Sequence, residues 1–577
     1  MHTTVQHTRT AWTFLVCDSL EKVLSDRTPR ALDMSIPLLG YRGGRVSVQL
    51  AYQPPAAGST SALHDLIVST GQPEGVSSTL GAVDLVPCTL LAFDDHDDDY
   101  LVDTPGLYPD PIRPVPNGRF APLLGSWRSV WVEFEIADTA PAGAHEVAIT
   151  VHKASGSDAD LTTMTDAAAS EPLFTATIPF EIVDASLPAL PIVNTHWFHC
   201  DGLATYYGVE VFSEEHWAII DQFLGAAADL SINSILTPTW TPPLDTAIGG
   251  TRLPTQLIEI TDPGNEQYTF DFSKLHRWLE LCKQHGVRSI EIAHLFTQWG
   301  ASATPAIWVQ TAQGPEQRFG WDVPATAPSY RTLLEQLLPA LRSELNEHWA
   351  EGSVLFHISD EPTEAQLPSY LAARNVVDDL LDGCTIADAL SDYELFASGT
   401  VPLPIVATNA AQPFLDAEVS PLWLYYCVAQ NRDVSNHFIA QPAARNRVIG
   451  TQLWSSGAAG FLHWGFNFYN TQFSTRTIDP FHDTSAGDGF LAGDSFLVYP
   501  GPGGRAWHSI RSKVFAEAMD DHRAMSLLAS LSDEDSVRAL VDPSGTLTLS
   551  SYPRDPNHYR RTWLSIGRAV QAAVTAA

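Results

Sequence analysis

At Ser186-Leu187-Pro188-Ala189-Leu190-Pro191 the chain changes its pattern, and the reading on either side of this segment decides the fold. From Ile192 onward, short apolar runs alternate with longer amphipathic stretches, the signature of successive βα units. Eight strand candidates follow: Pro191–Trp197, Asn233–Thr237, Ser289–His294, Val354–Ser359, Thr385–Ala389, Pro404–Thr408, Leu422–Cys427 and Gly460–Phe466. Helices fall between several of them. Glu214–Leu230 carries Trp217, Ile220, Phe223 and Leu224 close to the 3, 4 spacing of one helix face. Ser273–His285 and Tyr330–Trp349 behave likewise, and Gly286 suits a C-cap. With a closing helix near Arg505–Met519, this predicts a (β/α)8 barrel over residues 189–522.

Upstream, residues 1–188 read as an N-terminal β-sandwich. Arg45–Leu50, Ser129–Ile136 and Glu146–Val151 alternate or carry β-branched residues, and Pro54-Pro55 and Pro141-Ala142-Gly143 supply turns. Gly156 to Ser170 is small and polar, as a loop tip is. Downstream, Arg538–Val541 and Thr546–Ser551 predict a small C-terminal β domain over 523–577. The expected fold class is therefore multidomain, α/β plus all-β.

Lys+Arg 32 against Asp+Glu 67 gives a net charge of −35, from which a phosphate-neutralising surface is hard to build. No nucleic acid and no anionic membrane is expected as a partner. With 16 Trp and 16 Tyr, the chain has many flat apolar faces bearing a polar handle, which suit stacking on sugar rings as well as core packing. The six cysteines are scattered singly without a CxxC pair, so neither a disulfide framework nor a zinc knuckle is indicated. Met1 to Leu20 lacks a basic n-region, and its apolar patch Trp12–Cys17 is short for a signal peptide. A cytoplasmic protein is the expectation, with surface enough for a homodimer.

In a barrel of this kind, reactive residues lie at the C-terminal ends of strands. Those ends are polar and aromatic here: Asn194–Asp201, Thr237–Pro243, His294–Gly300, His357–Pro362 and His463–Asn470. The sharpest feature is Asp360-Glu361-Pro362, directly after the apolar run Val354-Leu355-Phe356. Adjacent carboxyls at a strand end push their pKa values apart, leaving an acid for a leaving oxygen and an anion for a positive centre. That is the division of labour needed to cleave an acetal. The same tripeptide also suits the first turn of a helix.

The strings Asn194–Asp201, Thr237–Pro243, His294–Trp299, Ile358–Pro362, Pro421–Tyr426, Gly460–Asn470 and Gly493–Pro500 together resemble the catalytic barrel of glycoside hydrolase family 123, over roughly residues 190–525. The resemblance implies removal of β-linked N-acetylhexosamine, N-acetylgalactosamine above all, by a retaining, exo-acting, substrate-assisted mechanism without a cofactor. It implies Glu361 as general acid/base and Asp360 as the group that holds the acetamido N–H. Tyr425 or Tyr426 would steady the acetamido carbonyl. Trp464, Trp423, Trp299, His196, Asn467 and Asp494 would serve stacking and hydroxyl recognition, while His463 could equally be a packed histidine. The substrate would be a small oligosaccharide or glycoside.

Two alternatives stand beside this reading. One is a same-fold glycosidase on a sugar without an acetamido group, with Asp388 or Asp494 as nucleophile about 5 Å from Glu361. The other is a carbohydrate-binding protein without turnover. The run Asp94–Asp99 offers oxygens for calcium but lacks the spacing of a known loop, and reads more simply as a solvated charge run. No HExxH-type spacing occurs, so no metal is expected.

Overall fold

A computed structural model describes residues 12–55, 64–123, 125–154, 171–350 and 352–576. The expected loop tip at 156–170 lies outside the described residues. The N-terminal region forms two five-stranded sheets. The first runs Thr13–Asp18, Arg45–Gln53, Arg128–Ile136, Val76–Cys88, Gly106–Pro114; the second runs Leu38–Arg42, Phe174–Ser186, Gly143–Lys153, Leu66–Gly71, Arg119–Phe120. Alternate residues such as Val147, Ile149 and Val151 join Val48, Val130, Val132 and Phe134 of the other sheet in one core. Strand Arg128–Ile136 is buried almost continuously because both faces are covered. Its Trp131 points away from that core and packs on Val448, Ile510 and Val514.

Beyond Ser186–Pro191, eight parallel strands close a barrel in sequence order: Val193–His196, Ser234–Thr237, Ser289–Ile292, Ser353–Phe356, Thr385–Leu390, Leu403–Ala407, Trp423–Tyr425 and Gly460–His463. The first and eighth strands pair from Val193↔Gly460 to His196↔His463. Leu236, Leu355, Ala387, Ala389, Ile405, Ala407, Trp423, Tyr425 and Leu462 fill the lumen. All eight strand candidates match barrel strands, differing from them only at their ends. The crossovers are less regular than a simple alternation. Short strands Glu259–Thr261, Thr269–Asp271, Ile307–Thr311 and Gly314–Phe319 form an extra four-stranded sheet, and helices Tyr393–Ala397 and Gln412–Asp416 have only five residues each.

The C-terminal β domain is not what forms. Residues 510–576 make three helices, Ile510–Leu531, Glu534–Val541 and Pro556–Ala576. The boundary expected at 522/523 falls inside the first. Arg538–Val541 is helical because the Asp533 side chain caps the Ser536 amide at 2.7 Å and Val537 and Val541, four apart, bury one face. Tyr559, Trp563, Ile566 and Val570 repeat the same 4, 3, 4 spacing. The last helix lies on the N-terminal region, where Trp563 Nε1 donates to the Leu39 carbonyl at 2.8 Å.

In the acidic run Asp94, Asp95 and Asp98 are exposed, as expected of a solvated charge run, while Asp99 is buried. Asp95 pairs with Arg432 at 3.1 Å, Asp97 with Arg445 at 2.9 Å and Asp98 with Arg554 at 2.8 Å. Asp95 and Asp97 thus reach from the N-terminal region to arginines of the barrel segment, and Asp98 to one before the last helix. All six cysteines are free. Among the described residues no helix is long and apolar enough to cross a membrane.

Candidate active site

The fourth barrel strand, Ser353–Phe356, carries the chain toward the C-terminal mouth, and the next residues hold an ionic network below it. His357 Nε2 lies 2.9 Å from Glu291 Oε2, and its Nδ1 lies 3.6 Å from Asp388 Oδ1. Burial opposes charge on this imidazole, but the close Asp388 carboxylate and the hydrogen bond and charge of Glu291 lift its pKa to about 10. His357 is therefore a cation at neutral pH. Glu291 also accepts from Thr195 Oγ1, from Trp197 Nε1 at 3.0 Å and from Ser234 Oγ at 3.0 Å. Asp388 accepts from the amides of Ile358 at 3.0 Å and Ser359 at 3.4 Å, and from Tyr370 Oη at 2.5 Å. Its carboxylate thus fixes the backbone immediately before Asp360-Glu361.

Glu361 takes a left-handed backbone conformation, φ 44°, which a residue with a β-carbon adopts only at a cost of about 1–3 kcal/mol. That turn swings its side chain across the mouth to the seventh strand, where Tyr425 Oη donates to Glu361 Oε1. Asp360 is half-buried beside it, whereas Glu361 stands in a crowded cleft and remains open to solvent. Burial, then the charges of Glu361 and Asp388, hold the Asp360 carboxyl well above the usual carboxylate range. Crowding also raises Glu361, and Asp494 adds to this, while the Tyr425 hydrogen bond opposes it. Solvent reaches Glu361 and a hydroxyl stabilises its anion, which favours leaving the proton shared by the pair on Asp360.

Two further acids complete the electrostatics. Burial raises Asp494 to about 7 and Asp245 to about 6, and Asp245 repels charge on Asp360. Asp494 is fully buried and accepts from Trp464 Nε1 at 3.2 Å. This holds the half-buried Trp464 ring against Phe468 and Phe490 at the end of the eighth strand. At the rim Trp299, 39% exposed, meets Phe473, 42% exposed, edge-on at 5.7 Å. Asp245 ties this rim together. Its Oδ2 accepts from the Phe473 amide at 3.0 Å and its carbonyl from Ser474 Oγ at 2.7 Å, so the loop after the second strand closes on residues 472–474.

The remaining expected site residues lie elsewhere. His196 ends the first strand with its ring against Phe461 and Phe515, wholly buried on the helix side of the wall. His463 is equally buried, accepts from the Gly465 amide at 3.0 Å and is held neutral by burial, with its pKa near 3. It is a packed histidine. Tyr426 points the same way, its Oη 3.1 Å from His437 Nδ1, because neighbouring strand residues face opposite sides. Trp423 begins the seventh strand and fills the lumen low in the barrel. A β-carbon on the paired Gly460 would stand 2.3 Å from its ring. Asn467 clamps His199, accepting from its amide at 2.8 Å and donating to its carbonyl at 3.2 Å. These four residues, His196, His463, Trp423 and Asn467, are buried structural groups rather than cleft contacts.

Sequence reasoning missed Asp245 and Phe473. Asp245 follows the polar end of the second strand by a few residues, and a search of that loop for carboxylates would have found it. Phe473 carried no signal.

The family model described as glycoside hydrolase 123, catalytic domain, matches residues 197–528. Among curated proteins none matches the chain. A solved structure reported as "The details of glycolipid glycan hydrolysis by the structural analysis of a family 123 glycoside hydrolase from Clostridium perfringens" is similar along 98% of both chains, at 13% identity and a TM-score of 0.70. A Bacteroides ovatus GH5 xyloglucanase in complex with a XXXG heptasaccharide aligns over 85% of this chain and 99% of that one, at 9% identity and a TM-score of 0.31, from which nothing follows here. The family match spans more than half of the sequence, and the strand ends that carry Asp360, Glu361 and Tyr425 lie within it: the chain belongs to glycoside hydrolase family 123 and is a glycosidase.

Proposed function

We propose that this glycosidase is a retaining, exo-acting β-N-acetylhexosaminidase, with N-acetylgalactosamine as the leading sugar, in which the 2-acetamido group of the substrate is the nucleophile. The observation that carries the reading is the acid pair Asp360-Glu361 at the barrel mouth, while the nearby Asp245 is engaged at the rim by the Phe473 amide. Asp388 is saturated by two amides and a phenol, and Asp494 is buried behind Trp464. These positions disfavour either acid as the nucleophile of the alternative reading.

In this mechanism an acetamido N–H placed against Asp360 favours its ionised form. The proton then moves to Glu361, which arms it to protonate the glycosidic oxygen. The acetamido oxygen attacks the anomeric carbon as the leaving group departs, and Glu361 afterwards deprotonates the water that opens the cyclic intermediate. Trp464 offers the stacking face. The Asp245 loop meets residues 472–474 along one side of the rim, an arrangement that suits terminal sugars. The similar Clostridium perfringens structure concerns glycolipid glycan hydrolysis, which makes a glycolipid headgroup one substrate to test.

The reading is tested by nitrophenol release from β- and α-glycosides of N-acetylgalactosamine, N-acetylglucosamine, galactose, glucose and arabinose. Turnover confined to the β-acetamido sugars supports it; turnover on sugars lacking that group retires it. Asp360→Asn is expected to cut kcat on acetamido substrates by about 10²–10³-fold, since the amide can still occupy the space but cannot act as the anion. An equal loss on a substrate without the acetamido group overturns its role. Tyr425→Phe removes a hydrogen bond that favours the ionised carboxylate, so the Glu361 pKa rises and the protonated acid survives to higher pH. The high-pH limb of kcat, which reports the substrate-bound enzyme, should shift upward by about one pH unit. A shift downward contradicts the assignment.

A further inference from the structure

On the outer wall of the barrel, away from the cleft, two helices bring three metal-ligating side chains together. His276 stands on helix Ser273–Gln284, and Glu344 and His348 stand one turn apart at the end of helix Pro328–His348. His276 Nε2 lies 2.7 Å from Glu344 Oε2, and His348 Nε2 lies 3.7 Å from the same oxygen. The two imidazole rings are 3.9 Å apart between centroids, and the three donor atoms lie within 4.8 Å of one another. Each side chain is about one-third exposed, so an ion has a route in and water can complete its coordination.

Other surface histidines are simpler. His285 pairs with Asp221 alone at 2.7 Å, and His482 with Asp479 at 2.7 Å. Here one carboxylate oxygen faces two imidazoles whose tilted rings are 3.9 Å apart. A cation among them would take one bond from each of the three side chains. Two imidazoles and a carboxylate match the nitrogen and oxygen preferences of zinc, whereas magnesium and calcium call for oxygen ligands alone. Tetrahedral zinc with bonds of about 2.0–2.1 Å wants its donors about 3.3 Å apart, within reach of small rotations of these side chains.

We propose that His276, Glu344 and His348 form a binding site for zinc or a similar divalent transition ion, which pins the two helices together. Helix Pro328–His348 ends just before the fourth strand starts at Ser353, so the ion sits toward the N-terminal mouth of the barrel, opposite Glu361. It acts on stability and takes no part in hydrolysis. Sequence spacing hid the site because the third ligand is 68 residues from Glu344 and the pair on one helix is ExxxH rather than HExxH.

The test uses the full chain after dialysis against a chelator, titrated with zinc chloride and, separately, magnesium chloride, by calorimetry and by thermal unfolding. The wild type should bind one equivalent of zinc with micromolar affinity and unfold at a higher temperature with it, and magnesium should do neither. His276→Ala and His348→Ala should each weaken zinc binding by about tenfold or more, with unchanged circular dichroism. Cobalt should give visible absorption bands of a low-coordinate nitrogen and oxygen site in the wild type and not in His276→Ala. Absence of saturable one-to-one binding in the wild type overturns the proposal. So does undiminished binding in both variants, which would put the ion elsewhere on the chain.

Discussion

Glu361→Gln is expected to lower kcat on a β-N-acetylhexosaminide by about 10²–10⁴-fold, the range that general acid–base catalysis supplies, while leaving affinity for the sugar within a few-fold. The substitution keeps shape and volume, and the amide oxygen can still accept from the Tyr425 hydroxyl that holds Glu361 now. What disappears is the transferable proton. The loss should therefore depend on the leaving group. A nitrophenolate departs with little need for protonation, so the variant should lose less on a nitrophenyl glycoside than on an unactivated disaccharide. Single-turnover rates on the two substrates measure this. Near wild-type rates on both would remove Glu361 from the chemistry.

The second large effect is structural. Arg511→Ala should destabilise the protein by about 3–5 kcal/mol, because it leaves the buried Asp110 carboxylate without its cation. Arg511 and Asp110 are each 1% exposed. The guanidinium donates to Asp110 at 2.8 Å and to the carbonyls of Gly493 at 2.5 Å and Phe496 at 2.7 Å. Tyr499 Oη donates to the same carboxylate at 2.6 Å. One side chain thus joins the N-terminal sheet, the closing helix and the loop that carries Asp494. Denaturant unfolding followed by tryptophan fluorescence measures the loss, and removing both partners with Asp110→Leu and Arg511→Met should restore most of it. A loss below about 1 kcal/mol in Arg511→Ala, the net worth of an ordinary hydrogen bond, would show the joint to be dispensable.

The barrel was legible because each strand is a short apolar run and each run ends in polar or aromatic residues. Asp360-Glu361 was legible for the same reason: the pair follows directly on the fourth run. Facing was not. Tyr425 and Tyr426 are adjacent, and only the register of the seventh strand turns Tyr425 into the lumen and Tyr426 toward His437. His196 is another case of facing, since it turns toward the helices, whereas Trp423 faces the lumen but sits two residues below Tyr425. Asp245 and Phe473 meet from loops more than two hundred residues apart, a closure no local pattern records. The helix Glu534–Val541 was missed because its last turn, Arg538–Val541, was taken for strand.

The central claim is that the nucleophile belongs to the substrate. The most direct measurement is kcat on nitrophenyl β-N-acetylgalactosaminide and its mono-, di- and trifluoroacetyl analogues. Each fluorine withdraws electrons from the amide carbonyl and weakens it as a nucleophile, so the rate should fall stepwise along the series. A rate indifferent to fluorination would mean that a protein group attacks the anomeric carbon, and would contradict the account.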